Sequence, residues 1–197
     1  MLMSYAAKEA RAVVVFAGVG AGGKTTNLTV LHHWLAAGTS MLNGVSTRAD
    51  RTLFLDLLPV GYGKRADWSV KMDFRSVPGQ VEYQEGRVDV LRAADVCVFV
   101  ADARERRLSA NRLAMWDLER ALRSVGREPG DVGLVMQWNK LDRADALPIE
   151  VLEHELNPGG APSVPARALA GVGVRETFRL ASEIALRRVD TALLGQR

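Results

Sequence analysis

Gly18-Val19-Gly20-Ala21-Gly22-Gly23-Lys24-Thr25 satisfies the pattern GxxxxGK[ST] in full. Glycines at these spacings let a backbone wrap closely around phosphate oxygens, with several N–H groups pointing inward. Lys24 is placed to reach the β- and γ-phosphates of a nucleotide, and the Thr25 hydroxyl to ligate Mg²⁺. Gly18, Gly20, Ala21, Gly22, Gly23, Lys24, Thr25 and the adjacent Thr26 form the candidate phosphate-binding set. An ordinary glycine-rich turn is the competing reading. It does not account for a buried strand before the motif and a helix after it, whose N-terminal partial charge favours an anion.

A phosphate loop does not choose the base. Asn139-Lys140-Leu141-Asp142 follows an apolar run and matches the NKxD guanine signature. A carboxylate at Asp142 can accept from both the ring N–H and the exocyclic amine of guanine. Adenine lacks that pair of donors and would leave a charged group unpaired, a costly mismatch. Asn139, Lys140 and Asp142 are therefore candidate guanine ligands, and GTP and GDP the expected ligands.

Pro78-Gly79-Gln80 follows the candidate strand Val70–Val77. The Gly79 N–H can approach a γ-phosphate, and Gln80 can orient an attacking water. A type II turn built on Pro-Gly is compatible with that role. Gly20 has no side chain, which leaves room for the glutamine. Thr52, between the first helix and the second strand, is a candidate second hydroxyl ligand for Mg²⁺. Arg51 is either a finger neutralising charge on the β–γ bridge or a surface arginine; position alone leaves both open.

The elements that must hold these residues alternate. Ala12–Ala17 reads as a buried strand and Thr25–Ala37 as a helix, with Gly38 placed to stop it. Leu53–Leu58 and Val70–Val77 read as strands, joined by a hairpin turn at Gly61-Tyr62-Gly63. Val96–Ala101 and Leu134–Trp138 read as further buried strands, and Ser163–Arg167 as a weaker one. Leu108–Val125, Glu150–Leu156 and Val174–Val189 read as helices, with Gly126 ending the first and Pro148 near the N1 position of the second. Strand–helix alternation with one early hairpin gives an α/β fold: a P-loop NTPase, with a mixed, mostly parallel sheet flanked by helices on both faces.

The 197 residues suit one domain over 1–197, and 48% hydrophobic with 25% charged residues is ordinary for such a fold. Arg104-Glu105-Arg106-Arg107 is the densest basic run. A net charge of +3 and no basic stripe with exposed aromatics argue against nucleic acid, and the run reads as a solvated helix start. The one cysteine, Cys97, lies in an apolar run and reads as a buried hydrophobe, which suits the cytoplasm. No apolar stretch reaches membrane-spanning length, and Leu194-Gly195-Gln196-Arg197 is no prenylation box, so any membrane attachment is expected through a partner.

The chain resembles, over nearly its whole length, the MglA-type bacterial Ras-like GTPases of cell polarity and gliding motility. The resemblance rests on Gly23–Leu28, Asp50-Arg-Thr-Leu-Phe54, Asp56 with Leu58-Pro59, Val77-Pro-Gly-Gln80, Phe99–Asp102, Asn139–Asp142 and Ala146-Leu-Pro148. It implies that Arg51 is an intrinsic finger, that Gln80 positions water, and that a strand precedes Ala12. It also implies a homodimer of roadblock-fold subunits as GTPase-activating partner, polarity or motility effectors downstream, and recruitment to a cell pole. Two features depart from common patterns. Most Ras-like proteins carry aspartate four residues before the switch glutamine, holding Mg²⁺ through water. Here that position is Ser76, as in MglA-type proteins, and Asp56 is the candidate replacement. Asp73 is a poorer one, since its odd offset from Ser76 puts it on the other strand face. Glu82 stands where the family typically has an aromatic residue, which bears on the partner surface. A nucleotide-locked scaffold with little turnover is the alternative function. A small-metabolite kinase is a third, but it leaves Asn139–Asp142 unexplained.

Overall fold

The computed structural model of the chain describes residues 1–36, 57–77 and 89–195. Among these, the strands are β1 (Leu2–Ser4), β2 (Glu9–Gly18), β3 (Leu57–Arg65), β4 (Trp68–Ser76), β5 (Val96–Asp102), β6 (Gly133–Asn139) and β7 (Ser163–Pro165). The helices are α1 (Lys24–Ala36), α2 (Leu108–Ser124), α3 (Ile149–Leu156) and α4 (Val174–Leu194). The strands form one sheet in the order β3-β4-β2-β5-β6-β7. The pairs β4-β2, β2-β5, β5-β6 and β6-β7 are parallel; β3 runs antiparallel to β4. Strand β1, implied only by the family resemblance, pairs antiparallel with the start of β2, Leu2 opposite Arg11.

The period-2 alternation of strands sorts side chains onto two cores. Ala12, Val14 and Phe16 of β2 join Val96, Val98 and Val100 of β5 under α1 and α4, where Leu28, Leu31, Phe178 and Ala181 meet them. Val13, Val15 and Ala17 join Cys97, Phe99 and Ala101 under α2 and α3, with Leu118, Leu122 and Leu152. Both faces are covered, so the central strands read as continuous apolar runs. Cys97 is buried, as expected, and burial pushes its thiol pKa up to about 12.

The early hairpin differs from its sequence reading. Gly61–Gly63 lies inside β3, and the reversal is made by Ala66-Asp67, with Lys64 opposite Ser69 and Arg65 opposite Trp68. The register shifts between Gly61 and Lys64, where Gly63 has φ +75°. The glycines thus form a bulge that twists the ribbon, while Ala66 takes the left-handed conformation of the turn, φ +52°. The bulge aims Tyr62 at α4, where its hydroxyl donates to Ser182 and its ring lies 6.2 Å from Phe178. Of the proposed strand Leu53–Leu58, residues 53–56 lie outside the described residues, as does Gly38.

Smaller boundary differences follow from caps. Helix α2 ends at Ser124 with Gly126 at φ +74°, and α4 runs on to Leu194. Pro148 is the cap residue ahead of Ile149, one place before the expected N1 position. Strand β7 stops at Pro165; Ala166 N–H still bonds Trp138 O of β6, and the chain then enters a short 3₁₀ turn at Ala168–Ala170.

Candidate functional site

The glycine-rich loop joins the C-terminal end of β2 to the first turn of α1. Gly18 (φ +121°) and Gly23 (φ +114°) adopt backbone conformations that side chains resist. A Cβ at Gly18 would overlap the Val100 carbonyl, and one at Gly23 would overlap the Asn139 amide. Ala21 is left-handed as well, φ +57°. Lys24 is buried, and its ammonium donates to Gly18 O (3.0 Å) and Val19 O (2.9 Å), so it lies across the mouth of its own loop. Thr25 is exposed in the first helical turn and Thr26 half-buried.

The loop after β6 meets this first loop directly. Asn139 donates from Nδ2 to Gly22 O (2.7 Å) and accepts Ala168 N–H on Oδ1 (2.9 Å). Lys140, left-handed at φ +69°, donates to Ala21 O (2.7 Å) and to Asp102 Oδ2 (2.8 Å). Two motifs more than a hundred residues apart are therefore one hydrogen-bonded unit. Asp142 is exposed, 3.7 Å from the Arg143 guanidinium.

Three groups of residues at this site escaped the sequence reading. Asp102 at the end of β5 is fully buried and takes a bidentate bond from Arg104 (2.9 and 2.6 Å) besides Lys140. Burial raises its pKa, but hydrogen bonds from Arg104 and Lys140 outweigh that and lower it to about 2. The run Arg104–Arg107 does start a helix, its 3₁₀ turn Glu105–Arg107 leading into α2 with Glu105 and Arg106 exposed. Its two ends, however, are not solvated: Arg104 pairs with Asp102, and Arg107 reaches Gly20 O at 2.9 Å. Behind the loop, Asn27 and Gln137 exchange side-chain hydrogen bonds at 2.8 and 2.9 Å, and Gln137 donates to Thr177. This buried set ties α1, β6 and α4 together. Its sequence signal was a polar glutamine inside the apolar run Leu134–Trp138. Finally, Ala168-Leu169 stands beside Asn139, with Leu169 84% exposed.

Arg51, Thr52, Asp56, Gly79, Gln80 and Glu82 lie outside the described residues. Ser76 is buried at the end of β4, opposite Phe16. Asp73 is buried and paired with Arg11 and Arg75, both at 3.3 Å, in register with Val13 on the other face of the sheet. Among the described residues, no group of three or more His, Cys, Asp or Glu could hold a metal, and no helix is long and apolar enough to cross a membrane.

No family model matches the chain. A structure of the Arl6 BBS3 small GTPase from Trypanosoma brucei, with the nucleotide analogue GppNp bound, superposes with a TM-score of 0.60 at 22% identity, over 90% of this chain and 99% of that one. The likeness establishes the Ras-like fold. The chain is also 35% identical over 185 residues to the mutual gliding-motility protein MglA of Myxococcus xanthus (strain DK1622), covering 93% of this chain and 95% of the relative. The chain belongs to the MglA family of Ras-like small GTPases. As an MglA-family protein it is a GTPase switch, an enzyme that binds GTP and converts it to GDP and phosphate. The two loops that meet at Gly22 and Asn139 are the GxxxxGKT segment Gly18–Thr25 and the NKxD segment Asn139–Asp142.

Proposed function

We propose that residues 1–197 form a single G domain that switches a system of bacterial cell polarity or gliding motility. The proposal is supported by the name of the Myxococcus relative and by its near-complete overlap with this chain. The observation that carries the site assignment is the pair of bonds from Asn139 and Lys140 to Gly22 O and Ala21 O. They hold the base-reading loop against the phosphate loop, so a guanine and its phosphates engage both together.

In this reading the loop from Gly18 to Gly23 cradles phosphates with its N–H groups, Lys24 neutralises β- and γ-oxygens, and Asp142 reads guanine. Thr26 extends the amide set at the helix N-terminus. Leu169 covers one face of the base. Thr25, exposed in the first turn of α1, would hold Mg²⁺ through its hydroxyl, a hard oxygen donor, with Thr52 supplying a second hydroxyl and Asp56 a carboxylate through water. The ion would neutralise charge on the β- and γ-phosphates. Gly79 meets the γ-phosphate, Gln80 orients water, and Arg51 stabilises the charge that develops between the phosphates. The proposed activator is a roadblock-fold homodimer, with polarity or motility effectors reading the GTP state. The protein is cytoplasmic and is brought to a pole by its partners.

The test is GTP turnover with and without that dimer. Arg51→Ala and Gln80→Ala should each lower the stimulated rate by about 10²-fold or more while leaving nucleotide affinity nearly unchanged. Full stimulated turnover by Arg51→Ala would refute the internal finger. No stimulated turnover by the wild type would favour a locked scaffold.

A further inference from the structure

We propose that Arg107 is a positioning residue for nucleotide binding: with Lys140, and through the shared carboxylate of Asp102, it clamps the two peptides on either side of Ala21 and so aims the Ala21 N–H at the phosphates. The inference rests on the reading of this loop as a phosphate cradle.

The starting point is the strain at Ala21. A left-handed alanine, φ +57°, is disfavoured relative to glycine, and such conformations persist where surrounding contacts over-determine them. Here both flanking carbonyls are gripped from outside the loop. Arg107 Nη2 donates to Gly20 O at 2.9 Å, and Lys140 Nζ to Ala21 O at 2.7 Å. With Asn139 on Gly22 O, three consecutive carbonyls each carry a side-chain donor. A trans peptide holds its C=O and N–H in opposite directions. Gripping Gly20 O therefore turns the next N–H, that of Ala21, to the other side of the loop. The neighbouring peptide shows the same logic: Lys140 holds Ala21 O, and Gly22 N–H points inward onto Val19 O at 3.1 Å.

Two of these donors converge on one anchor. Asp102 Oδ2 lies 2.8 Å from Lys140 Nζ and 3.9 Å from Arg107 Nε. Arg107 Nε is buried and makes no hydrogen bond, although the guanidinium as a whole is about one-third exposed. Among the described residues its side chain is held by the bond to Gly20 O and the Coulomb pull of Asp102, which Arg104 also satisfies in a bidentate pair. The P-loop pattern contains no hint of this arginine. It comes from a different strand–helix junction, 87 residues on. A positive charge on Gly20 O also polarises that peptide and makes the Ala21 N–H a better donor to an anion.

The experiment titrates fluorescent GDP and a non-hydrolysable GTP analogue into the wild type, Arg107→Ala and Arg107→Lys, with amide NMR of Ala21 and thermal unfolding of the nucleotide-free proteins. Arg107→Ala should bind both nucleotides about tenfold or more weakly, the scale of losing a charge-assisted hydrogen bond. The Ala21 amide shift induced by nucleotide should fall with it. Arg107→Lys should recover most of both, and nucleotide-free melting should hardly move. Wild-type affinity in Arg107→Ala overturns the proposal. Weaker binding with an unchanged Ala21 shift, or in step with a less stable nucleotide-free fold, assigns Arg107 a merely structural role and overturns it too. If ATP displaces GDP from the wild type as well as GTP does, the underlying guanine reading fails instead.

Discussion

Gly23→Ala tests the contact between the two loops at its tightest point. Gly23 has φ +114°, well outside the left-handed well an alanine can enter, so forcing it there costs about 1–3 kcal/mol. The new methyl would also overlap Asn139 Nδ2, which must then leave Gly22 O. Moving Asn139 loosens its acceptor contact with Ala168 N–H as well. Two buried hydrogen bonds at about 1 kcal/mol each bring the total to about 3–5 kcal/mol. If the loop relaxes instead, the strain leaves the free protein but the cradle geometry goes with it. In that relaxed case nucleotide binding must rebuild the strained geometry, so affinity should fall by about 10²- to 10⁴-fold. Fluorescent GDP titration, with circular dichroism to confirm a folded protein, reads the effect. A folded Gly23→Ala protein that binds GDP within threefold of wild type would refute the claim that Gly23 must lie bare against Asn139.

Asn27→Leu should destabilise the fold by about 2–4 kcal/mol in chemical denaturation, because it leaves both ends of the Gln137 amide short of partners inside the core. A loss under about 0.5 kcal/mol would show the amide pair to be dispensable. Asp102 has its folded pKa lowered to about 2, so the stability it supplies is present above its unfolded pKa near 4 and is lost as pH falls from there toward 2. The stability difference between wild type and Asp102→Asn should therefore shrink by about 2 kcal/mol across that window and stay constant from pH 5 to 8. A difference independent of pH would mean that the Asp102 charge contributes nothing.

The motifs that repeat a chemical rule were legible in the sequence. Gly18–Thr25 and Asn139–Asp142 sit where their spacing put them, at the ends of β2 and β6, because near-continuous apolar runs identified both strands. The hairpin turn was misplaced because glycine serves equally well in turns and bulges. Only the pairing of Lys64 with Ser69 distinguishes them, and that is a tertiary fact. Asp102, Arg104 and Arg107 were opaque for a related reason. An Arg-Glu-Arg-Arg run looks solvated until a buried carboxylate from the neighbouring strand end is known to face it. The polar Gln137 in an apolar strand was a visible signal, since a buried amide needs partners, but its partners lie 110 and 40 residues away.

The central claim is that this chain selects guanine nucleotides through two loops acting as one site. Competition against bound fluorescent GDP, using GTP, ATP and XTP on the wild type and on Asp142→Asn, tests it most directly. GTP should displace the probe from the wild type and ATP should not at a hundredfold higher concentration, while Asp142→Asn should shift preference from GTP toward XTP. Equal displacement by ATP and GTP from the wild type would contradict the claim.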